Sequence, residues 1–105
     1  MRFVWDSSKS DANLRERGFD FAFASLIFEG FTVEAEDRRR DYGERRIVAI
    51  GTADGVHLTL VYTNRMMGSR GTARRIISAR RSSRRERKIY EQAIHGGAPP
   101  QPGPR

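Results

Sequence analysis

The alternation of apolar and polar residues along the chain predicts five short strands, because successive side chains of a strand point to opposite faces of a sheet. These segments are residues 1–5, 31–35, 45–51, 56–63 and 74–80. The Asp54-Gly55 pair between the third and fourth segments is typical of a tight hairpin turn. In the last segment, strict alternation places Ile76 and Ala79 on opposite faces. The strand order predicts an antiparallel meander, with residues 1–5 as an edge strand.

Capping residues predict two helices in the first third of the chain. The first follows Asp6 or Ser7 as N-cap and ends at Gly18, and its few apolar residues indicate a surface position. The second follows Asp20 and ends at Gly30. Its apolar residues are expected in the core, and they are Phe21, Ala24, Leu26, Ile27 and Phe28.

A third helix is predicted near the end of the chain, because Ser83 and Glu86 have the spacing of a capping box. We expect this helix to begin near Ser82 or Ser83 and to end at about His95. Ile89 and Ala93, with Tyr90 and Ile94 as further candidates, would dock it on the sheet. Its exposed face is expected to carry Arg84, Arg85, Arg87 and Lys88.

The length of 105 residues is enough for one small domain, which we expect to span residues 1–95. All four prolines lie in the last seven residues, so residues 96–105 are expected to form a disordered tail. The chain has no cysteine, which excludes disulfides and cysteine-based zinc sites. No targeting segment is evident, and no run approaches the roughly 20 apolar residues that span a bilayer. We therefore expect a cytoplasmic protein without a membrane partner.

Positive charge is concentrated in one part of the chain. The net charge is +7, and residues 65–88 carry ten basic residues and a single acid, Glu86. Residues 1–64 carry nine basic and eleven acidic residues. Because a local basic ridge attracts polyanions, we expect RNA or DNA as a partner. Membrane phospholipid is the less favoured anion, since the basic helix lacks a broad apolar face.

Four segments carry a resemblance to a known family. They are VWDSSKSDANLRERGFDFAFASLIF from Val4, GERRIVAIG from Gly43, LVYT from Leu60 with Arg65 after it, and RIISARRSSRRERKIY from Arg75. In this order they resemble the BrnT ribonuclease toxins of bacterial type II toxin–antitoxin systems, over residues 3 to about 92. Two features depart from the family: Glu16-Arg17-Gly18 replaces a usual Lys-His-Gly, and the connector at residues 64–74 is longer.

The resemblance implies an α+β, RelE-like fold, in which two N-terminal helices pack on a twisted antiparallel sheet and a C-terminal helix follows. It also implies RNA cleavage without a metal or other cofactor, translation arrest, and neutralisation by a BrnA-type antitoxin with a ribbon-helix-helix domain. Such a toxin and antitoxin form a hetero-oligomer that binds operator DNA through the antitoxin. The alternative is a catalytically silent, basic nucleic-acid-binding module that acts as corepressor with its antitoxin.

RNA cleavage of this kind needs a group that stabilises the dianionic phosphorane formed when the 2′-hydroxyl attacks. Arginine suits this role, because its planar guanidinium donates two parallel hydrogen bonds to phosphate oxygens. Arg65 and Arg80 end adjacent predicted strands and are the first candidates, with Arg75 and Arg81 second. We expect these guanidinium groups to converge on a single phosphodiester.

Proton transfer needs other side chains, because arginine is a poor base. Glu44 and Glu86 are the candidates, although Glu86 could instead serve only as the cap partner of Ser83, and Glu44 could pair with Arg46. Tyr62 could stack on a base or belong to the core, and the same alternatives hold for Trp5. Arg84, Arg85 and Lys88 could bind RNA phosphates, meet acidic residues of an antitoxin or form a solvated face. His57 and His95 are expected to be surface residues.

Overall fold

The computed structural model of the protein describes residues 1–39 and 41–96. Within these ranges the chain forms an α+β domain with a five-stranded sheet and three α-helices. The elements in chain order are β1 Arg2–Trp5, α1 Ser7–Arg17, α2 Phe21–Ser25, a 3-10 segment Leu26–Glu29, β2 Val33–Glu36, β3 Ile47–Ala53, β4 Val56–Met66, a 3-10 turn Gly68–Arg70, β5 Thr72–Arg81 and α3 Arg84–Ile94. Residues 97–105, nearly all of the predicted tail, lie outside the described residues. No helix within the described ranges has the length and apolar character needed to cross a membrane.

The sheet has the strand order β1-β5-β4-β3-β2 and is mixed. Strands β2 to β5 pair antiparallel, as the predicted meander requires. The prediction of a wholly antiparallel sheet is wrong, because β1 pairs parallel with β5, with Val4 opposite Arg75. Only antiparallel neighbours can be joined by a tight turn, and β1 and β5 are separated by most of the chain. The sequence therefore contains no local turn signal that marks the relative direction of these two strands.

One face of the sheet, the α1–α2 face, holds the main core. Phe21, Ala24 and Ile27 are buried there against Leu60 and Ala79 of the central strands. Leu26 was expected in this core, but it is 39% exposed. The helix tightens from α-helical to 3-10 geometry at this residue, and the larger angle between successive side chains of a 3-10 segment turns Leu26 away from the sheet.

A β-bulge changes the side-chain alternation in β5. Val61 of β4 lies opposite Ser78, whereas the next residue, Tyr62, lies opposite Ile76. Ile77 is therefore an extra residue that has no partner in β4, and alternation resumes out of phase beyond it. Ile76 and Ala79 consequently share the buried core, and the prediction that they point to opposite faces is wrong.

Helix α1 is anchored mainly by polar contacts, since Leu14 is half exposed. The buried Ser10 hydroxyl accepts a hydrogen bond from the Phe21 amide at 3.0 Å, and the Asn13 side chain donates to the Phe19 carbonyl at 2.9 Å. Asp6 caps the helix at its start, and Gly18 ends it with a left-handed backbone, φ 87°. The predicted bounds and surface position of this helix are confirmed.

The opposite face of the sheet, the α3 face, is only partly covered. Ile89 and Tyr90 of α3 are buried against Val33 and Ile50 of the sheet. The predicted capping box is present, because Ser83 accepts from the Glu86 amide and Glu86 accepts from the Ser83 amide. The basic residues expected on the exposed side of the helix are all exposed, namely Arg84, Arg85, Arg87 and Lys88.

Candidate nucleic-acid interface

Three arginines lie in a line on the α3 face of strands β4 and β5. Arg80 is opposite Thr59, which bonds to Glu86 of α3 and so marks this face. Thr63 lies four residues beyond Thr59 and so points to the same face, and Arg75 is opposite it. Arg65 follows Thr63 by two residues and shares its side of the sheet. We call Arg80, Arg75 and Arg65 the arginine row.

The expected convergence of Arg65, Arg75, Arg80 and Arg81 on one phosphodiester is wrong. Arg80 pairs with Thr59, so six residues of β4, roughly 20 Å, separate it from Arg65. Adjacent antiparallel strands run in opposite directions, so their last residues lie at opposite ends of the two strands and cannot be neighbours. Arg81 points to the α1–α2 face and lines an apolar cleft with Leu14, Phe19 and Phe23. Among the four, Arg65 and Arg75 are brought together.

Arg65 and Arg75 line a cleft at the edge strand, which we call the β1 cleft. Its volume is about 430 Å³, and its other lining residues include Val4, Trp5, Asp6 and Met67. Neither guanidinium forms a hydrogen bond or an ion pair with another side chain in residues 1–39 and 41–96. Arg65 lies within the sheet and not in the connector, because β4 and β5 remain paired as far as Met66 and Thr72. Two guanidinium groups without an ion pair among the described residues therefore line this opening.

Arg80 is held differently, by a bidentate ion pair with Glu86. Its two terminal nitrogens donate to the two carboxylate oxygens at 2.7 and 2.8 Å. Thr59 and the Ser83 amide also donate to Glu86, at 3.0 and 2.8 Å. Burial alone would raise the pKa of Glu86, but these hydrogen bonds lower the pKa to about 2. The side chain of Arg80 remains half exposed, so its unused N–H groups are open to a ligand.

The two carboxylates considered for proton transfer are engaged elsewhere. Glu86 has the capping role considered as its alternative, and a pKa of about 2 makes it a weak proton acceptor at neutral pH. Glu44 forms an ion pair with Arg46 at 3.2 Å, again the alternative considered. Glu44 lines a separate acidic cleft with Asp37 and Asp41. Neither carboxylate lines the β1 cleft.

Of the two alternatives for Tyr62, the structure favours the core over RNA stacking, because this side chain is 3% exposed. Its hydroxyl donates to Glu34 at 2.5 Å, and burial together with this carboxylate raises the pKa of Tyr62. The Arg74 guanidinium lies 4.7 Å from the centre of its ring. Trp5 packs edge-on against Phe21 with 6.5 Å between ring centres, as its core alternative requires.

The remaining polar candidates occupy varied positions. His57 was expected at the surface, but its ring packs edge-on against Tyr90 beneath α3, whereas His95 is exposed. Arg17, at the position of the usual histidine, donates to the Ala79 carbonyl at 2.8 Å and thus lies on the α1–α2 face. Arg84 and Lys88 are exposed on α3. No group of three or more histidine, aspartate or glutamate side chains within the described ranges is arranged to hold a metal ion.

Sequence reasoning missed Asp6, which it considered only as a helix cap. One carboxylate oxygen, Oδ1, accepts from the Ser8 amide at 2.9 Å, the Ser8 hydroxyl at 2.6 Å and the Lys9 amide at 3.4 Å. These hydrogen bonds lower the pKa of Asp6, which keeps the group ionised in the cleft that Arg65 and Arg75 also line. The side chain is exposed. No local pattern could have placed Asp6 near these arginines, because the parallel pairing of β1 with β5 brings them together.

Comparison with known proteins supports the resemblance seen in the sequence. Residues 5–86 match the model of a family described as the ribonuclease toxin, BrnT, of type II toxin-antitoxin systems. A comparison with curated proteins gave no match. The matched segment includes Asp6, the whole sheet from β2 onward and the arginine row. Because this match covers well over half of the chain, the protein belongs to the BrnT family of ribonuclease toxins.

Proposed function

We propose that this protein is a metal-independent endoribonuclease that cleaves RNA and thereby arrests translation. A 2′-hydroxyl loses its proton and attacks the adjacent phosphate, and the bond from phosphorus to the 5′-oxygen breaks as that oxygen gains a proton. Membership of a ribonuclease toxin family supports the activity. The observation that supports the site is the arginine row, three guanidinium-bearing residues on the open part of the α3 face. A row of this kind favours a bound strand over a single anion, because each arginine can meet a different phosphate.

The scissile phosphate is assigned to the β1 cleft. Arg65 and Arg75 are free to give charge-assisted hydrogen bonds to its oxygens, and their charge would stabilise the phosphorane as it forms. Arg80 would hold a neighbouring phosphate, because Glu86 fixes its guanidinium while leaving donors exposed. Arg84, Arg85 and Lys88 would extend the contact along α3. In this scheme Glu86 positions Arg80 and does not transfer protons.

The partner is proposed to be a BrnA-type ribbon-helix-helix antitoxin. A type II toxin–antitoxin family implies a protein antitoxin, and the hetero-oligomer would bind operator DNA through that subunit. The exposed basic residues of α3 are suited to acidic residues on such a partner. We assign the protein to the cytoplasm and its fold to the RelE-like group, consistent with an antiparallel β2–β5 meander below two N-terminal helices.

Cleavage of a labelled RNA in EDTA tests the activity. Wild type should cut the RNA, and the double variant Arg65→Ala with Arg75→Ala should cut it at least roughly 100-fold more slowly, as loss of transition-state donors usually does. Arg38→Ala is the control, since this side chain is 82% exposed and pairs, among the described residues, with Glu36 alone. Intact RNA in the wild-type reaction, with salt-sensitive binding retained, would instead favour the silent binding module.

A further inference from the structure

The β1 cleft contains one group that binding of phosphate does not explain. Asp6 adds a negative charge to the cleft that Arg65 and Arg75 line, although it forms no ion pair with either. A site for phosphate alone gains nothing from a carboxylate at its wall, because like charges repel. The free oxygen of Asp6, Oδ2, has no hydrogen-bond partner among the described residues. A nucleobase can donate a hydrogen bond to this oxygen, whereas a phosphodiester has no donor.

We propose that the β1 cleft is a guanine nucleotide subsite, in which the Asp6 carboxylate accepts hydrogen bonds from the guanine base while Arg65 and Arg75 hold its phosphate. The assignment rests on the proposed function, since a base is expected in this cleft only if RNA is the ligand. It adds a specificity determinant that the cleavage chemistry does not require.

Guanine is favoured over the other bases by the arrangement of donors on its Watson–Crick edge. It presents two adjacent donors, N1–H and N2–H, and a carboxylate is an acceptor only. Adenine and cytosine place a ring-nitrogen acceptor beside their amino group, and uracil flanks its single N–H with two carbonyl oxygens. A carboxylate repels each of those acceptors, so the same cleft discriminates against all three bases.

The dimensions and walls of the cleft suit one nucleotide. Its volume of about 430 Å³ lies toward the lower end of the range usual for small-molecule sites, about 300–1,000 Å³. Val4 and Met67 supply apolar surface for the face of a base. Arg65 and Arg75 enter the cleft from the neighbouring strands. The positive charge that would bind the phosphate and the Asp6 carboxylate that would accept from the base therefore lie in one opening.

Recognition of a base suits Asp6 better than proton transfer does. A general base works best when its pKa lies near the working pH, whereas the cap hydrogen bonds hold the pKa of Asp6 below its ordinary value. A recognition carboxylate, by contrast, should stay ionised throughout.

Titrations with single nucleotides test the subsite without relying on cleavage. Backbone amide shifts of Asp6 and Arg75 are followed by NMR while guanosine, adenosine, cytidine or uridine 5′-monophosphate, or inorganic phosphate, is added. We expect guanosine monophosphate to bind wild type roughly tenfold more tightly than uridine monophosphate, a modest value for a base contact. Asp6→Asn should abolish that preference while keeping the helix capped, because asparagine is an equally good N-cap.

The matched control is Asp20→Asn, which makes the same change at the cap of α2 and should retain the preference. Equal binding of all four nucleotides, or shifts that inorganic phosphate alone reproduces, would overturn the subsite, and so would a guanine preference that survives in Asp6→Asn. Cleavage of RNA by wild type without any nucleotide preference would reject the subsite and leave the proposed function standing. Selective guanosine monophosphate binding by a chain that does not cut RNA would reject the proposed activity instead.

Discussion

Glu86 shows how one side chain can connect several parts of this fold. Its carboxylate caps α3 through Ser83, bonds to Thr59 of β4 and forms the bidentate pair with Arg80 of β5. The carboxylate side chain is only 6% exposed, while Arg80 is 48% exposed. A buried carboxylate is tolerated because every close donor favours its charged form. The residue spacing predicted the cap but not the other two contacts.

The stability supplied by Glu86 should depend on pH. Its pKa falls from an ordinary value of 4.5 to about 2 in the folded protein, so folding favours the ionised form. That stabilisation is complete above about pH 4.5 and disappears as the pH falls toward 2. Glu86→Gln should lower the free energy of unfolding by about 2 kcal/mol at pH 7, a value reduced for the solvent exposure of Arg80.

Urea unfolding of wild type and Glu86→Gln at pH 7, 4 and 2.5 measures this effect. The difference between the two proteins should shrink steadily across the series. A difference that stays constant with pH would show that lost packing or capping, and not ionisation, accounts for the change. Glu44→Gln is the matched control, because it makes the same change at a carboxylate that pairs with Arg46 near the surface, and it should lower the free energy of unfolding far less at pH 7.

At the scale of elements, β3 is packed closely against the 3-10 segment that follows α2. A Cβ added at Gly51 of β3 would lie 2.9 Å from the Cβ of Ile27 and 3.2 Å from the Thr32 methyl group. Ile27 is fully buried and cannot move into solvent. Glycine is therefore required at position 51 because β3 and the 3-10 segment lie so close together. Its backbone does not adopt the left-handed conformation that would itself favour glycine.

Gly51→Ala should consequently destabilise the fold by about 1–3 kcal/mol, as overpacking of a filled core does. Gly30→Ala is the control, because an added Cβ there meets nothing within 4 Å and its backbone is extended. That substitution should change the free energy of unfolding little or raise it slightly, by restricting the unfolded chain. Chemical denaturation of both variants compares the two sites, and equal losses would contradict the close approach as the cause.

The local elements were predictable, and their long-range relations were not. Caps at Asp6, Asp20 and Ser83 mark the starts of all three helices, because capping depends on residues close in sequence. The extra residue Ile77 interrupts alternation without any glycine or proline to signal it. The parallel pairing of β1 depends on residues about 70 positions apart, and it creates the β1 cleft. Arg75 was thus identified as a candidate, but its neighbour Asp6 was not.

Over the whole molecule, unpaired positive charge is distributed unevenly, both along the sequence and over the surface. Arginines of the β2–β3 connection pair with nearby carboxylates, Arg39 with Asp37 and Arg46 with Glu44, whereas Arg65 and Arg75 form no ion pair among the described residues. A polyanion approaching from solution should therefore be directed to the α3 face. Affinity for single-stranded RNA should depend on where a positive charge is located, and not only on the net charge of +7.

The salt dependence of RNA binding distinguishes the effect of where a charge is located from the effect of net charge. Each phosphate contact that releases counterions adds about −0.7 to the slope of log affinity against log salt for a single strand. Arg84 and Lys88 lie one turn apart on the exposed side of α3, so removing both should flatten the slope by about 1.4 if each meets a phosphate. The double variant Arg15→Ala with Arg38→Ala removes the same net charge from α1 and the β2–β3 connection, and it should leave the slope nearly unchanged.

Fluorescence anisotropy with a 2′-O-methylated RNA, which resists cleavage by 2′-hydroxyl attack, gives both slopes. The same loss of slope in the two double variants would mean that net charge alone governs binding, and the α3 face would then have no special part in holding RNA.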